Sequence, residues 1–123
     1  MTIDYSIVIP AYNEAAWLPQ TLVAIHQAMA DVPMSGEIIV CDNNSTDATT
    51  QIAESLGAQV VFEPYNQISR ARNTGAAAAR GRYLIFVDAD TLISSALLLE
   101  TLHQLTDGRC RSGGSVVKAD CVM

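Results

Sequence analysis

Tyr83-Leu84-Ile85-Phe86-Val87-Asp88-Ala89-Asp90 decides how this chain is read. A continuous apolar run bounded by charge is the pattern of a strand covered on both faces. Two carboxylates at the carboxyl end of such a strand are costly unless something pairs with them. A divalent cation that also holds a phosphorylated ligand is the natural partner. Working outward, Glu37-Ile38-Ile39-Val40-Cys41-Asp42 repeats the pattern, an apolar run closed by an acid. If both runs are strands of one parallel sheet, Asp42, Asp88 and Asp90 face one crevice, because such sheets bind ligands outside their strand carboxyl ends.

The remaining segments extend the same alternation. Ser6 to Ile9 reads as a first strand, ended by Pro10. Leu18, Leu22, Ile25 and Met29 form one helical stripe, and Pro19 fits only the first turn, so that helix starts near Leu18. Ser45 is the expected N-cap of a second helix carrying Ala48, Ile52 and Leu56, with Asp47 in its first turn and Gly57 at its end. Gln59 to Phe62 is a third strand. A helix from Ser69 to Arg80 follows, with Gly81 expected to end it. Ser94 or Ser95 opens a last helix bearing Leu98, Leu102 and Leu105, and Ser115 to Lys118 is a fifth strand. Strands alternating with helices predict an α/β fold: a Rossmann-like, mostly parallel sheet of order 3-2-1-4 with helices on both faces.

The 123 residues suit one domain or part of one, and half of them are apolar. With 7 basic and 13 acidic residues, the net charge of −6 excludes broad contact with a nucleic-acid backbone but not a small nucleotide bridged by a metal. Cys41, Cys110 and Cys121 form neither a disulfide framework nor a zinc motif, and so predict reduced packing residues and a cytoplasmic protein. The amino terminus is a poor signal peptide. No segment reaches the roughly 20 apolar residues of a membrane span, although contact with the inner face of a membrane stays open.

Three strand-end turns carry the chemistry. Pro10-Ala11-Tyr12-Asn13-Glu14 follows strand one, with Tyr12 a candidate stacking wall for a planar base. Asp42 could accept from a base N–H or a ribose hydroxyl, or else bond its own turn. Arg72, at the start of Arg72-Asn73-Thr74-Gly75, could meet a base carbonyl or a phosphate. Arg80 and Arg82 read as solvated, Asn73 as a residue tying loops, Trp17 as packing, and His26 and His103 as structural. The Walker and GxGxxG phosphate loops are both missing.

Ser6-Ile7-Val8-Ile9-Pro10-Ala11-Tyr12-Asn13-Glu14, Ile39 to Asp47, Arg70-Ala71-Arg72-Asn73-Thr74-Gly75-Ala76, Phe86-Val87-Asp88-Ala89-Asp90 and Gly113 to Val117 come in an order that resembles the N-terminal, nucleotide-sugar-binding half of a family 2 glycosyltransferase with a GT-A fold. The resemblance implies a nucleotide-diphospho-sugar donor, a divalent cation (Mn2+ or Mg2+) and inverting transfer to an acceptor hydroxyl of a saccharide, lipid or protein. It places Pro10, Ala11, Tyr12, Glu14, Asp42, Arg72, Asp88 and Ala89 around the nucleotide, and Asp88 and Asp90 at the metal.

Such domains run to about twice this length, and only 33 residues follow Asp90. Asp120 comes too early to match the family's base, so no catalytic residue is identified and the general base is expected beyond Met123. The chain is therefore expected to be one incomplete donor-binding domain spanning residues 1–123, inefficient alone, with an open sheet edge that favours self-association. A non-catalytic nucleotide-binding module is the alternative of another class. A haloacid-dehalogenase-like phosphatase is the rival enzyme, although Thr91 stands one position too early for its motif. A receiver-like domain would want acids where Pro10-Ala11-Tyr12 and Glu63-Pro64 stand.

Overall fold

β1 (Tyr5–Ala11) is rich in branched apolar residues and is buried along its whole length, as a strand with neighbours on both edges and helices on both faces must be. The computed structural model describes residues 2–106 and the backbone of residues 117–121. Its elements are β1, α1 (Leu18–Ala30), β2 (Gly36–Asp42), α2 (Thr49–Ser55), β3 (Gln59–Phe62), α3 (Ile68–Ala78), β4 (Tyr83–Val87), α4 (Ser95–Thr106) and β5 (Val117–Cys121). The sheet order is β3-β2-β1-β4-β5. β1 to β4 are mutually parallel and β5 runs antiparallel to β4. The connection direction reverses at β1, so the crevice of a doubly wound sheet opens there.

The alternation of side chains along each strand divides the core in two. Tyr5, Ile7, Ile9 and Ala11 of β1 join Ile38, Val40, Ile85 and Val87 against Leu18, Leu22 and Ile25 of α1, Ala53 of α2 and Leu98, Leu102 and Leu105 of α4. Truncating any of the fully buried leucines to alanine is a change worth about 2–5 kcal/mol. α3 covers the opposite face, and Gly75 lets it approach. A Cβ added there would lie 2.5 Å from Val8 Cγ1 and 3.6 Å from the Cys41 Cβ.

The expected strands β3 and β4 are found residue for residue, and α1 opens at Leu18 with its proline in the first turn. Ser94 caps α4, its hydroxyl accepting from the Leu97 amide at 3.1 Å. Gly57 ends α2 with a left-handed backbone, φ +84°. The His26 ring holds that end, with Nε2 donating to the Leu56 carbonyl at 2.7 Å.

Five local expectations change. β1 is not ended by Pro10 but runs through it to Ala11. α2 begins at Thr49 rather than at Ser45, because Ser45 and Asp47 spend their side chains on the turn after β1, and Ala48 is exposed. α3 stops at Ala78, short of Gly81, whose amide instead donates to Ser6 Oγ at 2.8 Å. Arg80 is not merely solvated, since its guanidinium pairs with Glu37 at 3.2 Å. Trp17 is 55% exposed and is not a packing residue. Of the expected fifth strand, Val117 and Lys118 lie in β5. Ser115 and Val116, together with Gly113, Gly114, Cys110 and Met123, fall outside the described residues.

Candidate active site

The carboxyl ends of β1, β2 and β4 form one rim. Ala11 is in register with Asp42, and the Asn43 amide continues the ladder by donating to the Ala11 carbonyl at 2.8 Å. β4 pairs with β1 only as far as Val8 and Phe86. Asp88-Ala89-Asp90 therefore leaves the sheet one residue after that ladder ends, in a turn closed by Thr91 N–H donating to the Asp88 carbonyl at 3.0 Å.

The turns after β1 and β2 are clasped together. Asn13 and Asn44 both adopt left-handed backbone, φ +52° and +64°, a conformation that asparagine tolerates better than most residues. The Asn13 amide donates to Ser45 Oγ (2.9 Å), and Thr46 N–H returns a bond to Asn13 Oδ1 (2.7 Å). Glu14 N–H donates to Thr49 Oγ1 (3.1 Å) and Ala15 N–H to Asp47 Oδ2 (3.2 Å). The Thr49 hydroxyl beside Asp47 holds that carboxyl below its usual range. Pro10 and Ala11 are buried at the rim, where they offer backbone rather than side chain, while Tyr12 stands half exposed above them.

Buried Asn43 is the residue that the sequence reading missed. Its side-chain amide donates to the carbonyls of Glu63 and Tyr65, its Oδ1 accepts from Gln67 N–H (3.0 Å), and its carbonyl accepts from Asn66 (2.7 Å). It does the loop-tying expected of Asn73, which is exposed. The available signal was its place directly after a strand-end acid, in a turn where a side chain must stand in for lost ladder bonds. Thr74 and the Tyr65 amide donate to Glu63 (2.6 and 2.9 Å) and keep its carboxyl below the ordinary range. That ties α3, and with it Arg72, to the same loop.

Asp42, Asp88 and Asp90 share the rim but do not touch. β1 stands between β2 and β4, so their backbones are separated by two strand spacings, about 10 Å. Asp42 is buried and faces its own turn, with Oδ1 accepting from Ser45 N–H (3.0 Å) and Oδ2 from Thr50 Oγ1 (2.8 Å). Asp88 and Asp90 are exposed. Arg72 approaches Asp88 from α3, Nη2 to Oδ1 3.8 Å, with its guanidinium over the Phe86 ring at 5.9 Å. Its buried Nε has no acceptor among the described residues. Glu14 is half-buried on the β1 side, and burial first, then the charges of Asp90, Asp47 and Asp88, push its carboxyl above the usual range. The rim thus carries negative potential that a bound cation would relieve.

The donor set at this rim is hard oxygen, which suits Mg2+ or Mn2+. Among the described residues no three acid, histidine or cysteine side chains gather closely enough to hold a metal. Two carboxylates with the remaining positions left to phosphate and water is the usual arrangement for a nucleotide-bound divalent ion, so Asp88 and Asp90 fit it. Asp120 lies opposite Leu84, toward the amino end of β4 and away from the rim. The expectation of a general base beyond Met123 falls outside the described residues.

The sequence model described as "Glycosyl transferase family 2" matches residues 6–120. The uncharacterized glycosyltransferase Rv0539 of Mycobacterium tuberculosis is 35% identical over 103 residues, covering 84% of this chain and 44% of the relative. The uncharacterized glycosyltransferase EpsJ of Bacillus subtilis is 34% identical over 98 residues, 75% of this chain and 27% of its own length. The chain thus spans less than half the length of these curated relatives. The crystal structure of S. aureus TarS 1-349 with UDP-GlcNAc superposes with a TM-score of 0.73 at 28% identity, over 85% of this chain and 32% of TarS. Glucosyl-3-phosphoglycerate synthase from Mycobacterium tuberculosis, solved with Mn2+, UDP and its glucosylated product, gives 0.71 at 26%, over 84% and 39%. A match to the family over residues 6–120, nearly the whole chain, makes this chain a member of glycosyl transferase family 2.

Proposed function

We propose that this chain binds a nucleotide-diphospho-sugar together with Mn2+ or Mg2+, and that the protein uses this donor for inverting transfer to an acceptor hydroxyl. The observation that carries the reading is Arg72. Its guanidinium reaches Asp88 only loosely and keeps a buried N–H unanswered among the described residues, and a buried donor without an acceptor costs about 1–3 kcal/mol unless a ligand answers it. A base carbonyl or a phosphate oxygen would do so, and TarS and the phosphoglycerate synthase, complexed with UDP-GlcNAc and with UDP and Mn2+ respectively, lend support.

In this proposal Asp88 and Asp90 hold the metal and Asp88 also faces ribose. Tyr12 stacks on the base. Asp42, oriented by Ser45 and Thr50, accepts from a base N–H with its remaining lone pairs. Pro10, Ala11 and Ala89 shape the wall of the nucleotide pocket, and Glu14 closes it from the β1 side. When bound, the cation supplies charge neutralisation for the departing diphosphate. The phosphatase alternative is not carried forward, given the family match. The non-catalytic binding module differs only in whether transfer follows donor binding.

Calorimetric titration of UDP-glucose and GDP-mannose, with and without Mn2+, tests the reading on the wild type and on Asp90→Ala. Saturable donor binding that Mn2+ strengthens, with that strengthening lost in Asp90→Ala, is expected. Donor binding indifferent to both would end it.

A further inference from the structure

Thr21 lies on α1, 68 residues from the Asp88-Ala89-Asp90 turn in sequence, and is buried. Its hydroxyl is 2.6 Å from the carbonyl oxygen of Ala89 and 3.2 Å from that of Trp17. A hydroxyl has one proton, and the shorter contact takes it. A threonine within a helix ordinarily spends that proton on the carbonyl four residues back. Here it reaches across to another element.

The place it reaches needs holding. β4 loses its β1 partner after Phe86, so Asp88, Ala89 and Asp90 are carried beyond that ladder. Among the described residues the Thr21 bond is the one side-chain hydrogen bond to the backbone of these three residues. The Ala89 side chain is buried in the same core as Leu18 and Leu22. Packing therefore fixes the middle residue from one side and the hydroxyl fixes its carbonyl. With the peptide plane of Ala89 set, the flanking Asp88 and Asp90 have a fixed relative direction.

We infer that Thr21 is a positioning residue for the metal-binding carboxylates, acting through the Ala89 carbonyl. The inference rests on the reading of Asp88 and Asp90 as metal ligands. Hydrogen-bonding partners one shell out from a metal typically change its affinity by about 10–100-fold when removed, and Thr21 acts from that distance.

The test compares wild type, Thr21→Val and Thr21→Ser. Mn2+ affinity in the presence of UDP is read from the electron paramagnetic resonance of free Mn2+, and UDP affinity in EDTA is measured separately. Thr21→Val is expected to weaken Mn2+ binding about tenfold while leaving metal-free UDP affinity within about twofold, and Thr21→Ser, which keeps the hydroxyl, is expected to restore wild-type Mn2+ binding. Should Thr21→Val not fold, Thr21→Ala is read in the same way. Equal loss of both affinities, or failure of the serine to restore Mn2+ binding, overturns the inference and assigns Thr21 to packing. Unchanged Mn2+ binding in Thr21→Val overturns it as well. A wild type that binds no Mn2+ with UDP sinks the metal reading itself, an outcome distinct from either.

Discussion

The two ends of the sheet treat their charges in opposite ways. At the amino end, Glu37 accepts from Ser6 Oγ (2.6 Å), the Arg80 amide (2.7 Å) and the Arg80 guanidinium (3.2 Å), and Ser6 in turn accepts from Gly81 N–H. Both charges of that cluster are answered by the chain. At the carboxyl end, Arg72 holds Asp88 loosely, its Nε is orphaned among the described residues, and Asp90, Asp47 and Asp88 crowd Glu14. A saturated network spends its interactions on the fold, whereas an unsaturated one keeps them for a ligand. The same strands supply both ends, so the contrast lies in side chains and not in backbone.

The sharpest way to break the contrast is to remove a charge at the open end. Asp90→Ala is expected to lower Mn2+-dependent donor affinity about a hundredfold, or about 2.7 kcal/mol, with thermal stability essentially unchanged because the side chain is exposed. Calorimetry and a melting curve on the same sample check both halves. Arg72→Ala comes next, with about tenfold weaker donor binding in the presence or absence of metal. Arg72→Lys should not rescue it, since an ammonium lacks the planar fork and the Nε donor.

The reverse test belongs to the closed end. Glu37→Gln is expected to cost about 1 kcal/mol of stability and nothing in donor affinity. Burial pushes the Glu37 carboxyl up, but the Ser6 hydroxyl and the amide and guanidinium of Arg80 outweigh it and hold it below its usual range. A carboxyl depressed in the fold gives stability that is present above its unfolded pKa of 4.5 and lost as pH falls through the lower folded value. Wild type and Glu37→Gln should therefore differ in melting temperature at pH 7, begin to converge as pH falls below 4.5, and meet only below the lower folded value. A gap that persists in acid would assign the loss to packing.

Reading the sequence succeeded where a signal was local. β3 and β4 were found to the residue because an apolar run met Glu63-Pro64 in one case and Asp88 in the other. The stripe of α1 and the cap of α4 were equally local. It failed where a side chain was spent at long range. Ser45 has the chemistry of an N-cap, but a turn 32 residues away claims it. Gly81 has the chemistry of a helix stop, but Ser6 claims its amide. Asp42, Arg72, Asp88 and Asp90 could be named because acids ending strands and a guanidinium on the next helix are visible in one dimension. Thr21 could not, and Asn43 only as a turn residue without its partners, since each acts through backbone carbonyls of segments that only the fold brings near.

Glu14 gives the smallest effect and the finest discrimination between the two ends. Its carboxyl is shifted upward, by burial first and by Asp90, Asp47 and Asp88 after it, whereas Glu37 is shifted downward. The sign of the stability term is therefore reversed. A raised carboxyl disfavours the fold once pH exceeds the unfolded value of 4.5, and the penalty disappears in acid. Glu14→Gln should accordingly raise stability at pH 7 by about a few tenths of a kcal/mol, the scale of partly solvated charge interactions, and leave it unchanged below pH 4.5. Saturating Mn2+ with UDP should shrink the gain without erasing it, because a cation on Asp88 and Asp90 removes their share of the repulsion while burial, the larger cause, and Asp47 remain. A gain undiminished by the metal would mean that Asp88 and Asp90 do not act on Glu14, and that the acids at this rim do not reach it as one field.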